Sequence, residues 1–163
     1  MKIEKDSLML LFRYSNFRGY SFVEEHRKAL KEKKYVWLLK LGKRSSVEKL
    51  TNVLNSGGWM VLRSPKAEGS RSYLCHFTEV SEELPKTNCY PDYYKYVLAE
   101  AKENEYLNPN QYYQWFKVDL LKELGEKEAA QLYVANNKKF VDEVIGTTRT
   151  AVMFIKNGTS IDT

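Results

Sequence analysis

Residues 57–80 read GGWMVLRSPKAEGSRSYLCHFTEV, and their pattern decides the fold class. Trp59 to Arg63 is a short apolar arm. Ser72 to Val80 alternates, with Tyr73, Cys75 and Phe77 on one face and Ser72, His76 and Thr78 on the other. A period of two is that of a strand half covered by a core. Between the arms, Ser64 to Ser70 holds Pro65, Lys66, Glu68 and Gly69. That composition cannot continue a strand, so the stretch predicts a β-hairpin with a long polar loop.

Immediately upstream, Gly57 and Gly58 stop a helix that opens with a capping-box spacing, Ser45 with Glu48. Its Val47, Leu50, Val53 and Leu54 recur at helical intervals. Before it, Tyr35 to Leu41, YVWLLKL, is apolar on both faces as far as Lys40, which predicts a central strand covered on both sides. Ser21 and Glu24 make another capping-box spacing, followed by Phe22, Val23, His26, Ala29 and Leu30 at helical intervals. His26 lies on or beside the apolar face of that helix and reads as structural. Residues 8–14, LMLLFRY, predict the first strand.

Downstream, SEELPKTNCYP is a polar connection to a helical stripe of Tyr93, Tyr94, Val97, Leu98 and Ala101, with Asp92 placed to cap it. Residues 105–112, EYLNPNQY, read as loop, with Asn-Pro as the breaker. Tyr113 to Leu121 reads as a strand, EKEAAQLYV as a helical turn or a strand, and Lys138 to Ile145 as a short helix closed by Gly146. Thr148 to Lys156 is the last strand, and the tail from about residue 157, NGTSIDT, is expected to fray. No repeat or linker divides the chain, so residues 1–163 predict a single domain. About six strands with three or four helices between them point to an α+β fold on a curved or closed sheet. A doubly wound parallel sheet is the rival, but neither GxGxxG nor GxxxxGK[ST] occurs.

A length of 163 residues suits one buried core, and 43% hydrophobic with 13% aromatic content excludes a disordered chain. Twelve tyrosines suit ring stacking and half-buried strands equally. No run reaches the roughly 18 apolar residues of a membrane span, and the apolar core of residues 1–17 is too short for a secretion signal. A cytoplasmic protein without a membrane partner is expected. Cys75 and Cys89 fit no CxxC pattern, and His26 and His76 no metal-ligand spacing, so neither metal nor cofactor is expected. The net charge is +5, from 26 basic and 21 acidic residues. Basic residues bracket several loops: Lys40, Lys43 and Arg44; Arg63, Lys66 and Arg71; Lys138, Lys139 and Arg149. Clustered on one face they would favour a polyanion; interspersed with glutamates they would be a solvated surface, and the sequence leaves both open.

WMVLRSP followed by SRSYLCHFTEV, ending in the Glu79-Val80 pair, resembles the strand, variable loop and strand of the PUA-like superfamily, in particular its EVE, YTH and ASCH branches. QWFKVDLLKEL, Gln114 to Leu124, is similar to a later strand of those domains and TTRTAVMFIK to their closing strand. The resemblance covers most of residues 7–156 in the order of elements. It implies a pseudo-barrel flanked by helices that binds RNA or DNA, taking one modified or unpaired base into a pocket. Such a pocket needs flat apolar faces, hydrogen-bonding groups at the base edge and cations for the flanking phosphates. Near predicted strand ends, Tyr14, Trp37, Trp59 and Trp115 offer rings, and Ser15, Asn16, Ser45 and Ser46 offer edge contacts. Arg44, Arg63, Arg71 and Arg149 could meet phosphate. The chain departs from the EVE branch after the first strand, where RYSNFRGYSF replaces a tryptophan-rich opening.

An enzyme is the alternative. Gly42-Lys43-Arg44-Ser45-Ser46 resembles a segment of ASCH-type hydrolases of acylated nucleosides, with Glu79 as the carboxylate. A lysine could activate a hydroxyl there only if burial or a neighbouring cation such as Arg44 lowered its pKa. No other catalytic constellation stands out. A third class, a protein-interaction domain, predicts an exposed apolar patch without a basic groove.

Overall fold

The computed structural model describes residues 1–103 and 113–163. Its strands and helices are interspersed along the chain. Strand β1 (Lys2–Ile3) is followed by β2 (Leu8–Arg13), α1 (Phe22–Lys33), β3 (Val36–Leu41), α2 (Val47–Asn55), β4 (Trp59–Arg63) and β5 (Ser72–Ser81). Then come α3 (Tyr94–Glu103), β6 (Tyr113–Leu124), α4 (Glu126–Ala130), β7 (Leu132–Val134), α5 (Val141–Val144), β8 (Val152–Asn157) and β9 (Ile161–Asp162). The expected loop at 105–112 lies outside the described residues.

The hairpin of the opening stretch is β4 and β5, antiparallel from Trp59 opposite His76 to Arg63 opposite Ser72. It sits in the middle of a seven-stranded sheet of order β3-β6-β5-β4-β2-β8-β7. Among the described residues only β2 and β4 pair in parallel, so the fold is α+β with a mixed sheet and not a doubly wound one. The sheet is open: among the described residues no ladder joins β3 to β2 or to β7, and a closed barrel is not formed.

The sheet curls all the same. Leu10 and Phe12 of β2 share one core with Val36 and Leu38 of β3, four places away, and with Phe22 and Val23 of α1 and Leu50 and Val53 of α2. Pairing between β5 and β6 shifts register between His76 and Phe77 and again between Phe77 and Glu79. Such irregularities sharpen the right-handed twist that bends a sheet. The opposite face carries two further cores, one under Met9, Leu11, Val61 and Leu74, the other under Trp37, Leu39, Trp115 and, at the start of α3, Tyr93 and Tyr94.

Three expectations are corrected. First, β3 is an edge strand, not a central one, although both its faces are buried. Its free edge is closed by residues 89–94: Trp37 N–H donates to the Cys89 carbonyl at 2.6 Å and Leu39 N–H to the Tyr94 hydroxyl at 3.0 Å. An uncovered edge would be a template for aggregation, and this segment removes it.

Second, Ser46 and not Ser45 caps α2, its hydroxyl accepting from Lys49 N–H. The backbone of Ser45 is held instead by the Gln114 side-chain amide, which accepts from Ser45 N–H at 2.8 Å and donates to Ser45 C=O at 2.9 Å. Third, the tail does not fray. β9 pairs with β1, and Ile161 is fully buried, packed with Ile3 and Leu132.

Candidate functional site

The site grows from the loop that follows β2. Beyond Arg13 the ring of Tyr14 turns inward and stacks on Phe22, centroids 4.6 Å apart. Asn16 ties the loop to the start of α1, its Oδ1 accepting from Phe22 N–H at 2.9 Å while its Nδ2 donates to Glu68. Ser21 completes the start of the helix, accepting from Glu24 N–H as its capping-box spacing predicts.

Between these two fixed points the chain makes a tight reversal, Phe17-Arg18-Gly19-Tyr20, closed by Tyr20 N–H donating to Phe17 C=O at 2.8 Å. Arg18 and Gly19 both have positive φ, 45° and 85°. That is the geometry of a type I′ turn, and glycine at its second central position adopts it without strain. The turn brings the rings of Phe17 and Tyr20 onto Tyr93, at 6.1 and 5.2 Å between centroids. The Arg18 guanidinium lies over the Phe17 ring and pairs with Glu100 at 2.5 Å.

A cleft of about 250 Å³ opens between this loop, the covered edge of β3 and the start of α3. Its walls are the rings of Phe12, Phe17, Phe22, Tyr93 and Tyr94, with Leu39, Leu41 and Val97. Ser15, Asn16 and Arg13 supply its polar lining. Phe12 from β2 and Leu39 from β3 both line it although their strands do not pair.

A buried chain of hydrogen bonds holds the back of the cleft. His26 Nδ1 lies 2.6 Å from Phe22 C=O and Nε2 lies 2.5 Å from the Tyr94 hydroxyl. A carbonyl only accepts, so Nδ1 carries the proton, Nε2 accepts, and Tyr94 is the donor. The Tyr94 oxygen in turn accepts from Leu39 N–H. Burial pushes His26 down to about 4, against a smaller opposing effect of the Phe22 carbonyl, and the ring is neutral at pH 7. Burial also raises Tyr94 and Tyr93, the latter with help from Glu25, so both hydroxyls stay protonated.

Of the residues read from the sequence, Ser15 and Asn16 line the cleft, and Tyr14 lies buried behind it with its hydroxyl 3.4 Å from Glu68. Burial, then the charge of Glu68, raises the Tyr14 pKa. Arg149 is exposed two residues from Ala151, which touches the cleft, and Arg13 donates to Thr148 C=O at 2.7 Å beside it. The three tryptophans are elsewhere. Trp37 and Trp115 are buried in the core beneath α3, and Trp115 Nε1 finds no acceptor among the described residues. Trp59 lies half-buried against His76, whose Nδ1 is 2.7 Å from Asp119.

Arg44 is engaged by Tyr113 C=O and by Glu82. Arg63 is buried between Ser72 and Asp142, and Ser46 caps α2. Arg71 is exposed on the loop of the hairpin. The hydrolase constellation is not assembled: Lys43 is exposed, Ser45 is clasped by Gln114, Glu79 pairs with Lys117 at 3.7 Å, and no bond joins the three among the described residues.

Sequence reasoning passed over Phe12, Arg13, Phe17, Phe22, Tyr93 and Tyr94 as cleft residues. The available signal was ring density in RYSNFRGYSF: Tyr14, Phe17, Tyr20 and Phe22 crowd one short connection. Loops carry function more often than cores do, and a loop so rich in rings is a candidate wall. Among the described residues no group of three His, Cys, Asp or Glu side chains could hold a metal ion, and no helix is long and apolar enough to cross a membrane.

No protein-family model, no curated protein and no solved structure matches the chain.

Proposed function

We propose that this chain is a nucleic-acid-binding module with a PUA-like pseudo-barrel, which takes one unpaired or modified base of RNA or DNA into the cleft between β2 and β3. The observation that carries the reading is the composition of the cleft: five aromatic rings around a space of about 250 Å³ with Ser15 and Arg13 on its lining. That volume lies just below the roughly 300–1,000 Å³ of sites for drug-sized ligands, a scale that suits a single flat ring system. A base removed from its stack recovers about 1–3 kcal/mol on each aromatic partner. The core that β2 shares with β3, four strands away, supports the pseudo-barrel reading.

Ser15, whose hydroxyl has no hydrogen-bond partner among the described residues, is the edge contact, since Asn16 already spends its amide on Phe22 and Glu68. Arg13, Arg18 and Arg149 stand around this loop and the adjoining strand end and would meet the flanking phosphates. Fluorescence anisotropy with labelled single- and double-stranded RNA and DNA at two salt concentrations tests the reading. Binding should favour single strands and weaken with salt, because phosphate contacts carry the salt slope and the unstacked base carries the preference. Equal affinity for duplex and single strand, or none for any probe at low salt, overturns it.

A further inference from the structure

A second hollow, of about 470 Å³, lies at the other end of β2, where the two helices that cover this face of the sheet run out. α1 and α2 bury Leu10 and Phe12 but leave Val152 and Phe154 of β8 half-exposed. With Leu8 and Val134 these form an apolar floor within the size range of small-molecule sites. Its rim is polar and carries one sign of charge: Lys49 and Asn52 from α2, one turn apart, and Asn136 after β7. No carboxylate lines it.

Lys49 makes no ion pair, and the amides of Asn52 and Asn136 make no hydrogen bond, among the described residues. The Lys49 ammonium sits 5.5 Å over the centre of the Phe154 ring. Lys156 stands directly opposite Leu8 across the β2–β8 ladder, and so on the same face. An anion meeting Lys49 would therefore hold its own body against Phe154, Val152 and Leu8.

We propose that this groove is a ligand site for a small carboxylate with a flat or short apolar body, independent of the base cleft. Charge complementarity to Lys49 selects the carboxylate, and the floor selects the apolar body. The size of the hollow bounds the ligand to a small molecule.

Isothermal titration calorimetry of the whole chain with 2-naphthoate, and with the uncharged 2-naphthylmethanol, tests the site. Naphthoate should bind, the alcohol roughly tenfold or more weakly, the difference expected of one charge-assisted hydrogen bond. Lys49→Gln should remove that difference. Asn52→Trp, an exposed helix position whose indole would fill the hollow, should abolish binding of both, while Phe17→Ala in the base cleft should leave both unchanged. Equal affinity of acid and alcohol, indifference to Lys49→Gln or to Asn52→Trp, or no binding of naphthoate overturns the proposal. Loss of naphthoate binding in Phe17→Ala would move the ligand to the other cleft and overturn it as well.

Discussion

The imidazole of His26 and the hydroxyl of Tyr94, 2.5 Å apart and both fully buried, join the first helix to the start of the third and, through Leu39 N–H, to the edge of the sheet. Three elements that form the back of the cleft thus hang on two side chains. Tyr94→Phe keeps the ring but leaves His26 Nε2 and Leu39 N–H without partners. Each buried unsatisfied group costs about 1–3 kcal/mol, so the variant should lose roughly 2 kcal/mol or more in a urea denaturation. A loss below about 0.5 kcal/mol would mean that water takes over both bonds.

The same pair sets an acid limit on stability. His26 falls to about 4 in the folded chain, below its ordinary 6.5, so the unfolded chain binds the extra proton first. Its contribution is fully present above about pH 6.5 and is lost as pH falls towards 4, reaching roughly 3 kcal/mol. Urea unfolding at pH 7, 5.5 and 4.5 should show this decline, and His26→Gln, already less stable at pH 7, should show a shallower one. Parallel pH profiles would place the acid sensitivity in other groups.

The terminal strand predicts a response to truncation. Ile161 is buried against Ile3 and Leu132, and β9 holds β1 in place. Ile161→Ala should cost about 2–4 kcal/mol, the range for a buried aliphatic cut to alanine. Melting by circular dichroism reads it. No change in midpoint would show that the tail does not dock.

Gly58 predicts a backbone effect. It has a φ of 75°, and a Cβ placed on it would lie 2.3 Å from the carbonyl oxygen of Phe77. Gly58 C=O also accepts from Phe77 N–H at 2.8 Å, so the two backbones cannot part without breaking that bond. Gly58→Ala should cost more than about 2 kcal/mol, whereas Gly69→Ala, with open space at its Cβ, should cost about 1. Equal losses at the two sites would contradict the packing at Gly58.

How legible the fold was follows from the range of the interactions. Ser21 with Glu24, and the alternation of Tyr73, Cys75 and Phe77, depend on neighbours within a few residues and could be read directly. The edge position of β3 could not, because Cys89 and Tyr94, some 50 residues on, supply the cover that mimics a central strand. The cap of α2 shifted by one residue because Gln114 takes the backbone of Ser45. β1 and β9, two residues each, pair with one another and are too short to leave a periodic trace. In the candidate site Ser15 and Asn16 were legible from their place after the first strand. The ring walls were not, since Tyr93 and Tyr94 look like any helical stripe and only the turn at Arg18 and Gly19 aims Phe17 towards them.

The base cleft is tested most directly by a ¹⁵N–¹H NMR titration of the whole chain with a short single-stranded oligonucleotide. The account predicts backbone shifts concentrated in residues 13–22, at Leu39 and Leu41 and at Tyr93 to Val97, with Phe17→Ala weakening the binding by roughly tenfold, within the range for one stacked base. Shifts confined to other surfaces, or an affinity that Phe17→Ala leaves untouched, would contradict it.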